Sequence, residues 1–165
     1  EEVIGTYLTE SDFAFTFEKR DQKLFLKRIG RNDVELEREA DNILHQKFDP
    51  PFKQEFTKNE NGQWQVSAYY TTHAPYTLTK VNPLPDSFDF EVLNGTFFNQ
   101  ETQTEVIIQH KEGAQYEVKL REGYVTKGLL VAENKMLVDS YVFEINKAGI
   151  LLNGDRIKRI QYNRK

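Results

Sequence analysis

Apolar and polar residues alternate with a period of two along most of this chain. Phe13, Phe15 and Phe17 share one face, with Ala14, Thr16 and Glu18 on the other; Leu24 and Leu26 flank Phe25, and Val34 and Leu36 are separated by Glu35. Further on, Trp64, Val66, Ala68 and Tyr70 alternate with polar positions or the opposite face, and Tyr76 and Leu78 stand between threonines. A period of two with one apolar face predicts half-buried strands in antiparallel pairing. Turn signals punctuate these runs at Arg20-Asp21, Arg31-Asn32-Asp33, Asp49-Pro50-Pro51 and Asn61-Gly62, close enough together for hairpins. Apolar spacing of helical period is missing, so the pattern predicts an all-β barrel or sandwich.

An internal repeat organises the chain. Gly5-Thr6-Tyr7 matches Gly95-Thr96-Phe97, and the run Phe15-Thr16-Phe17 ending in Lys19-Arg20-Asp21 matches Val106-Ile107-Ile108 ending in His110-Lys111-Glu112. Leu24 and Leu26 then match Tyr116 and Val118. Glu55-Phe56 through Asn61-Gly62 is set against Glu144 and Phe143 through Ala148-Gly149, and each half closes on a strand, Tyr76 to Val81 and Ile157 to Tyr162. The expected division is a first barrel over residues 1–81, a Pro-containing linker over 82–91 and a second barrel over 92–165. Pro83 and Pro85 withdraw backbone donors from the linker and exclude a central strand there. Asp86 is the expected cap of one short helical turn running through Phe90 to Leu93, and residues 1–4 the counterpart of that turn in the first half. Two small antiparallel barrels in tandem, each of seven or eight short strands, compete with one larger barrel; the repeat favours two, and closure removes exposed sheet edges.

Composition narrows the function classes. The 165 residues carry 22 Lys+Arg against 26 Asp+Glu, a net charge of −4, which offers no basic excess for a phosphate backbone, so nucleic acid is not an expected partner. With 38 % hydrophobic residues the chain is globular in composition. Its longest uninterrupted apolar stretch, Leu129 to Ala132, falls far short of the roughly 18 residues of a membrane-spanning helix, and no membrane span is expected. There is no cysteine, hence no disulfide, thiolate ligand or cysteine nucleophile. The opening Glu1-Glu2, with neither a Met nor a signal peptide, reads as part of a longer protein.

Candidate chemistry is sparse. None of the four serines, Ser11, Ser67, Ser87 and Ser140, is followed three residues later by lysine or sits in a Gly-x-Ser-x-Gly elbow, so no catalytic residue is expected in this segment. His45, His73 and His110 stand alone, without the close pairing that puts two imidazoles on one ion, and no metal or other cofactor is expected. His110 differs from the other two in continuing the Val106 and Ile108 face. Glu35, Glu37 and Glu39 share one side of a strand, the pattern of a solvated face, and the nine scattered glycines form no phosphate-cradling loop. Asn94-Gly95-Thr96 fits the N-glycosylation pattern, but the repeat already accounts for its glycine and threonine. The aromatic cluster is the main candidate for binding: Trp64, Tyr69, Tyr70, His73 and Tyr76 fall within thirteen positions. Trp64 and Tyr70 share the parity of Val66 and Ala68, which places them inside a barrel, whereas Tyr69 faces out. A ligand-binding barrel would draw on Trp64, Tyr69, Tyr70, His73 and the Arg156 to Arg159 end; against that stands the tendency of so small a barrel to be filled by its own side chains.

The half-repeat, a short leading turn, Gly5-Thr6-Tyr7, a hairpin from Lys19 to Leu26, then Phe48, Phe56, Asn61-Gly62 and a closing strand, resembles the lipocalin-like domain at the C-terminus of serine β-lactamase-like hydrolases. Residues 49–59, from Asp49-Pro50-Pro51-Phe52 to Lys58-Asn59, are similar to those tails in Bacteroidetes-type enzymes. Gly5-Thr6-Tyr7 and Gly95-Thr96-Phe97 also resemble the Gly-x-Trp signature of true lipocalins, with Tyr or Phe in place of Trp. The resemblance implies a bacterial, exported (periplasmic or cell-envelope), non-catalytic accessory module. Its partner would be an N-terminal Ser-x-x-Lys catalytic domain of the same chain or a further copy of itself, and it would act through packing, substrate access or assembly. The alternative is a lipocalin-like barrel that binds a small molecule.

Overall fold

The structure is a computed structural model and describes residues 2–9, 13–28, 31–154 and 156–165. The chain divides into two compact units, Glu1–Val81 and Asn82–Lys165. The first holds β1 (Gly5–Leu8), β2 (Ala14–Arg20), β3 (Lys23–Arg28), β4 (Val34–Ala40), β5 (Ile43–Gln46), β6 (Asp49–Lys58), β7 (Trp64–Tyr69) and β8 (Tyr76–Lys80). The second holds β9 (Gly95–Asn99), β10 (Thr104–Glu112), β11 (Gln115–Arg121), β12 (Tyr124–Ala132), β13 (Lys135–Val138), β14 (Tyr141–Asn146), β15 (Gly149–Asn153) and β16 (Ile160–Arg164). Each set is an up-and-down antiparallel meander whose first strand pairs with its last, closing an eight-stranded barrel. The tandem arrangement of two small barrels is therefore the fold.

The alternation sorts as expected. Phe15, Phe17, Leu26, Val66, Ala68 and Leu78 are at most 2 % exposed and form the first core with Tyr7, Leu36, Leu44 and Phe56. Edge-to-face rings hold its centre: Tyr7 lies 5.4 Å from Phe17, and Phe17 4.9 Å from Phe56. The second core is aliphatic by comparison, with Val106, Ile108, Val118, Leu130, Met136, Val138, Phe143 and Ile150 around Phe97 and Tyr116.

Strand register makes the repeat exact enough to compare position by position. Gly5 pairs with Phe17 as Gly95 pairs with Ile108, and Phe17 with Leu26 as Ile108 with Val118, which confirms the matches of β1 to β3 with β9 to β11. For β6 the register corrects the sequence reading. Ile43 opposes Glu55 as Lys135 opposes Glu144, so Gln54 corresponds to Phe143 and Phe56 to Ile145, rather than Phe56 to Phe143. Core volume is exchanged between equivalent sites. Leu36 and Leu44 of the first barrel correspond to Gly128 and Met136 of the second, where a Cβ on Gly128 would stand 2.8 Å from Met136 Sδ: the longer side chain occupies the space that the glycine leaves.

Pro83 and Pro85 lie outside any strand, as their missing N–H groups require, yet Leu84, Phe88 and Phe90 pack against the second core, so this stretch is part of the second unit. A single 3-10 turn follows at Phe90–Leu93. Its cap is Asp89, whose carboxylate accepts the Glu91 N–H, not Asp86: a cap must stand immediately before the turn to reach its free donors. Its counterpart in the first half is a turn at Glu2 and Val3, Glu1 lying outside the described residues. A basic residue of each closing strand ties these leading turns down. Lys80 donates to the Glu2 carbonyl, and Arg164 donates to the carbonyls of Asn94 (2.7 Å) and Val92 (2.9 Å) while its guanidinium stacks over Phe97.

Candidate functional site

Each barrel has one end formed by the β1–β2, β3–β4, β5–β6 and β7–β8 connections, or their equivalents in the second half, and the two ends differ in filling. In the second barrel this end opens into a cavity of about 530 Å³. Val106, Leu120, Leu152 and Ile160 supply apolar wall, Tyr141 and Tyr162 supply rings, and Arg121, Tyr124 and Asp139 stand at the rim. Asp139 is fixed there by two hydroxyl donors, Thr126 Oγ1 at 2.7 Å and the Tyr124 hydroxyl, which bonds to its other oxygen. That bond to a carboxylate holds the Tyr124 phenol above its usual range. Arg121 covers the Tyr124 ring at 5.3 Å. Deeper in, the Tyr162 hydroxyl meets Thr104 Oγ1 at 3.0 Å. Gly154 borders the Tyr141 ring so closely that a Cβ would approach it to 2.7 Å, so the glycine is what lets this ring lie where it does.

In the first barrel some of the corresponding positions carry larger or more polar groups. By register Leu120 corresponds to Arg28, Tyr141 to Phe52, Gly154 to Tyr70 and Ile160 to Tyr76. Phe52 meets Tyr70 edge-on at 5.3 Å, Tyr70 meets Tyr76 at 5.6 Å, and Phe13 lies 5.3 Å from Tyr76, so the rings form a continuous aromatic wall. His73 joins it, 4.4 Å from Tyr70 and 4.8 Å from Tyr76, with its Nδ1 at 2.8 Å from the Ala74 carbonyl. Burial raises the Tyr70 phenol, against the pull of Arg28 and Arg31 nearby.

The structure thus brings together Tyr70, His73 and Tyr76 of the aromatic cluster and separates the rest. Trp64 begins β7 six residues before Tyr70, roughly 20 Å along a strand, where it packs on the first core beneath Lys58 Nζ. Tyr69 faces outward and donates to Glu55 Oε2 at 2.8 Å. Arg156 is exposed and belongs to the other barrel, in the β15–β16 connection. The second barrel's cavity was not visible in the sequence because its lining is scattered over six strands and the connections between them. Only strand register shows that Leu120 and Arg28 hold equivalent positions in the two barrels.

The remaining candidates have structural places. His110 bridges Glu91 Oε1 and the Gly113 carbonyl, each at 2.8 Å, and stacks on Phe90. Asn94 of the glycosylation pattern accepts the His110 N–H and donates to Glu91. Glu35 pairs with Lys47 at 2.8 Å and Lys23 at 3.4 Å, on the outer face. Ser11 lies outside the described residues. Among the described residues no three His, Asp or Glu side chains gather as a metal site, and no helix is long and apolar enough to cross a membrane. No protein-family model matches the chain, and no curated protein matches it in sequence.

Proposed function

We propose that this chain is a small-molecule-binding module whose second barrel takes a ligand in its open end. The observation that carries this reading is the cavity of about 530 Å³, within the range of roughly 300–1,000 Å³ that small-molecule sites span. Its apolar wall suits a hydrocarbon or aromatic body, and its polar groups stand at the rim, where Arg121 and Asp139 would orient a polar end left near solvent. The accessory role beside a hydrolase domain rests on the sequence resemblance alone, and no feature of the barrels favours it over ligand binding.

The test is a titration with N-phenyl-1-naphthylamine, an uncharged apolar fluorophore. Its emission should rise and saturate with the native chain. Leu120→Trp, which fills the cavity from β11, should abolish the rise while the protein keeps its strand circular dichroism. A flat titration of the native chain, or an unchanged one for folded Leu120→Trp, would sink the reading.

A further inference from the structure

Among the described residues the first barrel holds a half-buried cation with no counter-charge. Arg28 is the last residue of β3 and lies directly opposite Phe15, which is fully buried. Directly opposed residues of an antiparallel pair project to the same face, and Arg28 has the parity of Leu24 and Leu26, so its side chain enters the barrel. Arg28 is half-buried, and its Nε is shielded from solvent and has no hydrogen-bond partner. Among the described residues no carboxylate pairs with it. The charged group nearest in influence is Arg31, another cation, and together with burial it destabilises the charged form of Arg28. Among the described residues, the cation–carboxylate contacts of the first barrel, such as Arg20 with Asp33 or Lys47 with Glu35, lie on the outer face.

Shielding a guanidinium from water without a partner is costly, and paired anions are the usual remedy. A second interior atom is also unsatisfied. Gln54, 2 % exposed, has an Oε1 without a donor, where the second barrel has the apolar Phe143. By contrast, the buried Asn99 and Asn153 of the second barrel both have partners. Among the described residues, the buried side-chain atoms that lack partners thus both lie in the first barrel, at the end that carries the aromatic wall of Phe13, Phe52, Tyr70 and Tyr76 or below it.

We propose that this end of the first barrel binds an amphipathic carboxylate, whose anionic head pairs with the Arg28 guanidinium and whose apolar body lies against the exposed side of the Phe52, Tyr70 and Tyr76 wall. The planar fork of arginine matches a carboxylate through two parallel hydrogen bonds. Arg31 at the same mouth adds attraction on approach, and the Tyr70 hydroxyl stands within electrostatic reach of both cations. This site is separate from the second barrel's cavity and selects for charge, where the other selects for apolar volume.

Decanoate and decanol are the probes, followed by calorimetry and by amide chemical-shift changes in the full chain. Decanoate should bind, with shifts centred on Tyr70, His73 and Tyr76, and decanol at least tenfold more weakly. Arg28→Leu installs the residue that the second barrel carries at the equivalent position. It should fold, unfold at a higher temperature than the native chain because a buried charge is gone, and lose at least tenfold in decanoate affinity. Arg28→Lys should keep the charge but lose the paired hydrogen bonds, with an intermediate affinity. Unchanged decanoate affinity in folded Arg28→Leu, equal binding of decanol, or shifts confined to the second barrel would overturn the proposal. Leu120→Trp should leave decanoate binding intact, so the two mouths fail or succeed separately.

Discussion

Gly149 offers the sharpest test of the packing argument. It opens β15 at φ +152°, a region that L residues rarely adopt, directly opposite Asn163 of β16. A Cβ there would stand 2.2 Å from the Tyr162 carbonyl oxygen and 3.0 Å from the Arg164 amide nitrogen. Both are backbone atoms, so no rotamer change can relieve the contact, and β15 and β16 would have to part. The equivalent position in the first barrel is Gln65, which carries a full side chain and donates to Thr79 Oγ1 at 3.0 Å; there the hairpin turns through residues 59–63, whereas Lys147 and Ala148 alone turn the second. Gly149→Ala should cost about 4 kcal/mol, roughly 1–3 for the backbone region and a similar amount for the clash. That is comparable with the whole stability of a unit of this size and corresponds to a fall of roughly 15–30 °C in its melting temperature. Gly123→Ala is the control in the same barrel: φ is +71° and nothing lies within 4 Å of the added Cβ, so only the conformational cost of about 1 kcal/mol remains. Thermal scans by far-ultraviolet circular dichroism of both variants decide the matter. If Gly149→Ala melts no lower than Gly123→Ala, the strands yield freely and the close-approach argument is wrong.

Two further predictions concern the leading turn of the second barrel. The ring of His110 meets both Glu91 and the Gly113 carbonyl, and only the doubly protonated imidazole donates to both, which raises its pKa, chiefly through Glu91. Because the folded-state value is raised, the contribution is complete below the ordinary value of about 6.5 and lost as pH rises through the raised one. The urea midpoint of the native chain should therefore fall over that window relative to His110→Gln, and a difference that is constant or grows with pH refutes the pairing. Tyr116, 1 % exposed, donates from its hydroxyl to the Phe90 carbonyl at 2.8 Å, and burial pushes its phenol up to about 12. Tyr116→Phe leaves that carbonyl without its donor and should cost about 1–2 kcal/mol in urea denaturation; no loss would mean that the turn is anchored by its apolar residues alone.

Much of the architecture was legible before any coordinates because the evidence was repeated twice over. The face of Phe15 and Phe17 and the parity of Trp64, Val66 and Ala68 each mark one wall of a barrel, and Gly5-Thr6-Tyr7 with Gly95-Thr96-Phe97 marks its start. What escaped was information that exists only across strands. Glu144 beside Phe143 looks like Glu55 beside Phe56 reversed, and only hydrogen-bond register shows that Ile145 takes the place of Phe56. Asp86 and Asp89 are equally good caps by type, and the position of the turn decides between them. Arg28, at the end of a strand and beside Lys27, reads as one more solvated cation until Phe15 is seen opposite. The aromatic cluster was half legible: parity placed Trp64 and Tyr70 inside and Tyr69 outside, but not the length of β7, which carries Trp64 to the end away from Tyr70, His73 and Tyr76.

Closure carries a consequence for how such a unit can spread. β1 lies against β8 through Tyr7 and Lys80, and β9 against β16 through Phe97 and Arg164, so each barrel receives and releases the chain at one seam. A unit whose two ends meet behaves as a bead: it can be copied, appended or set into a host loop while the flanking chain bridges only a short gap. The clasp of Lys80 or Arg164 on backbone carbonyls of the leading turn fastens that seam from within the bead itself. Two such beads on one thread can then diverge independently, one mouth emptied by Gly154 and the other charged by Arg28.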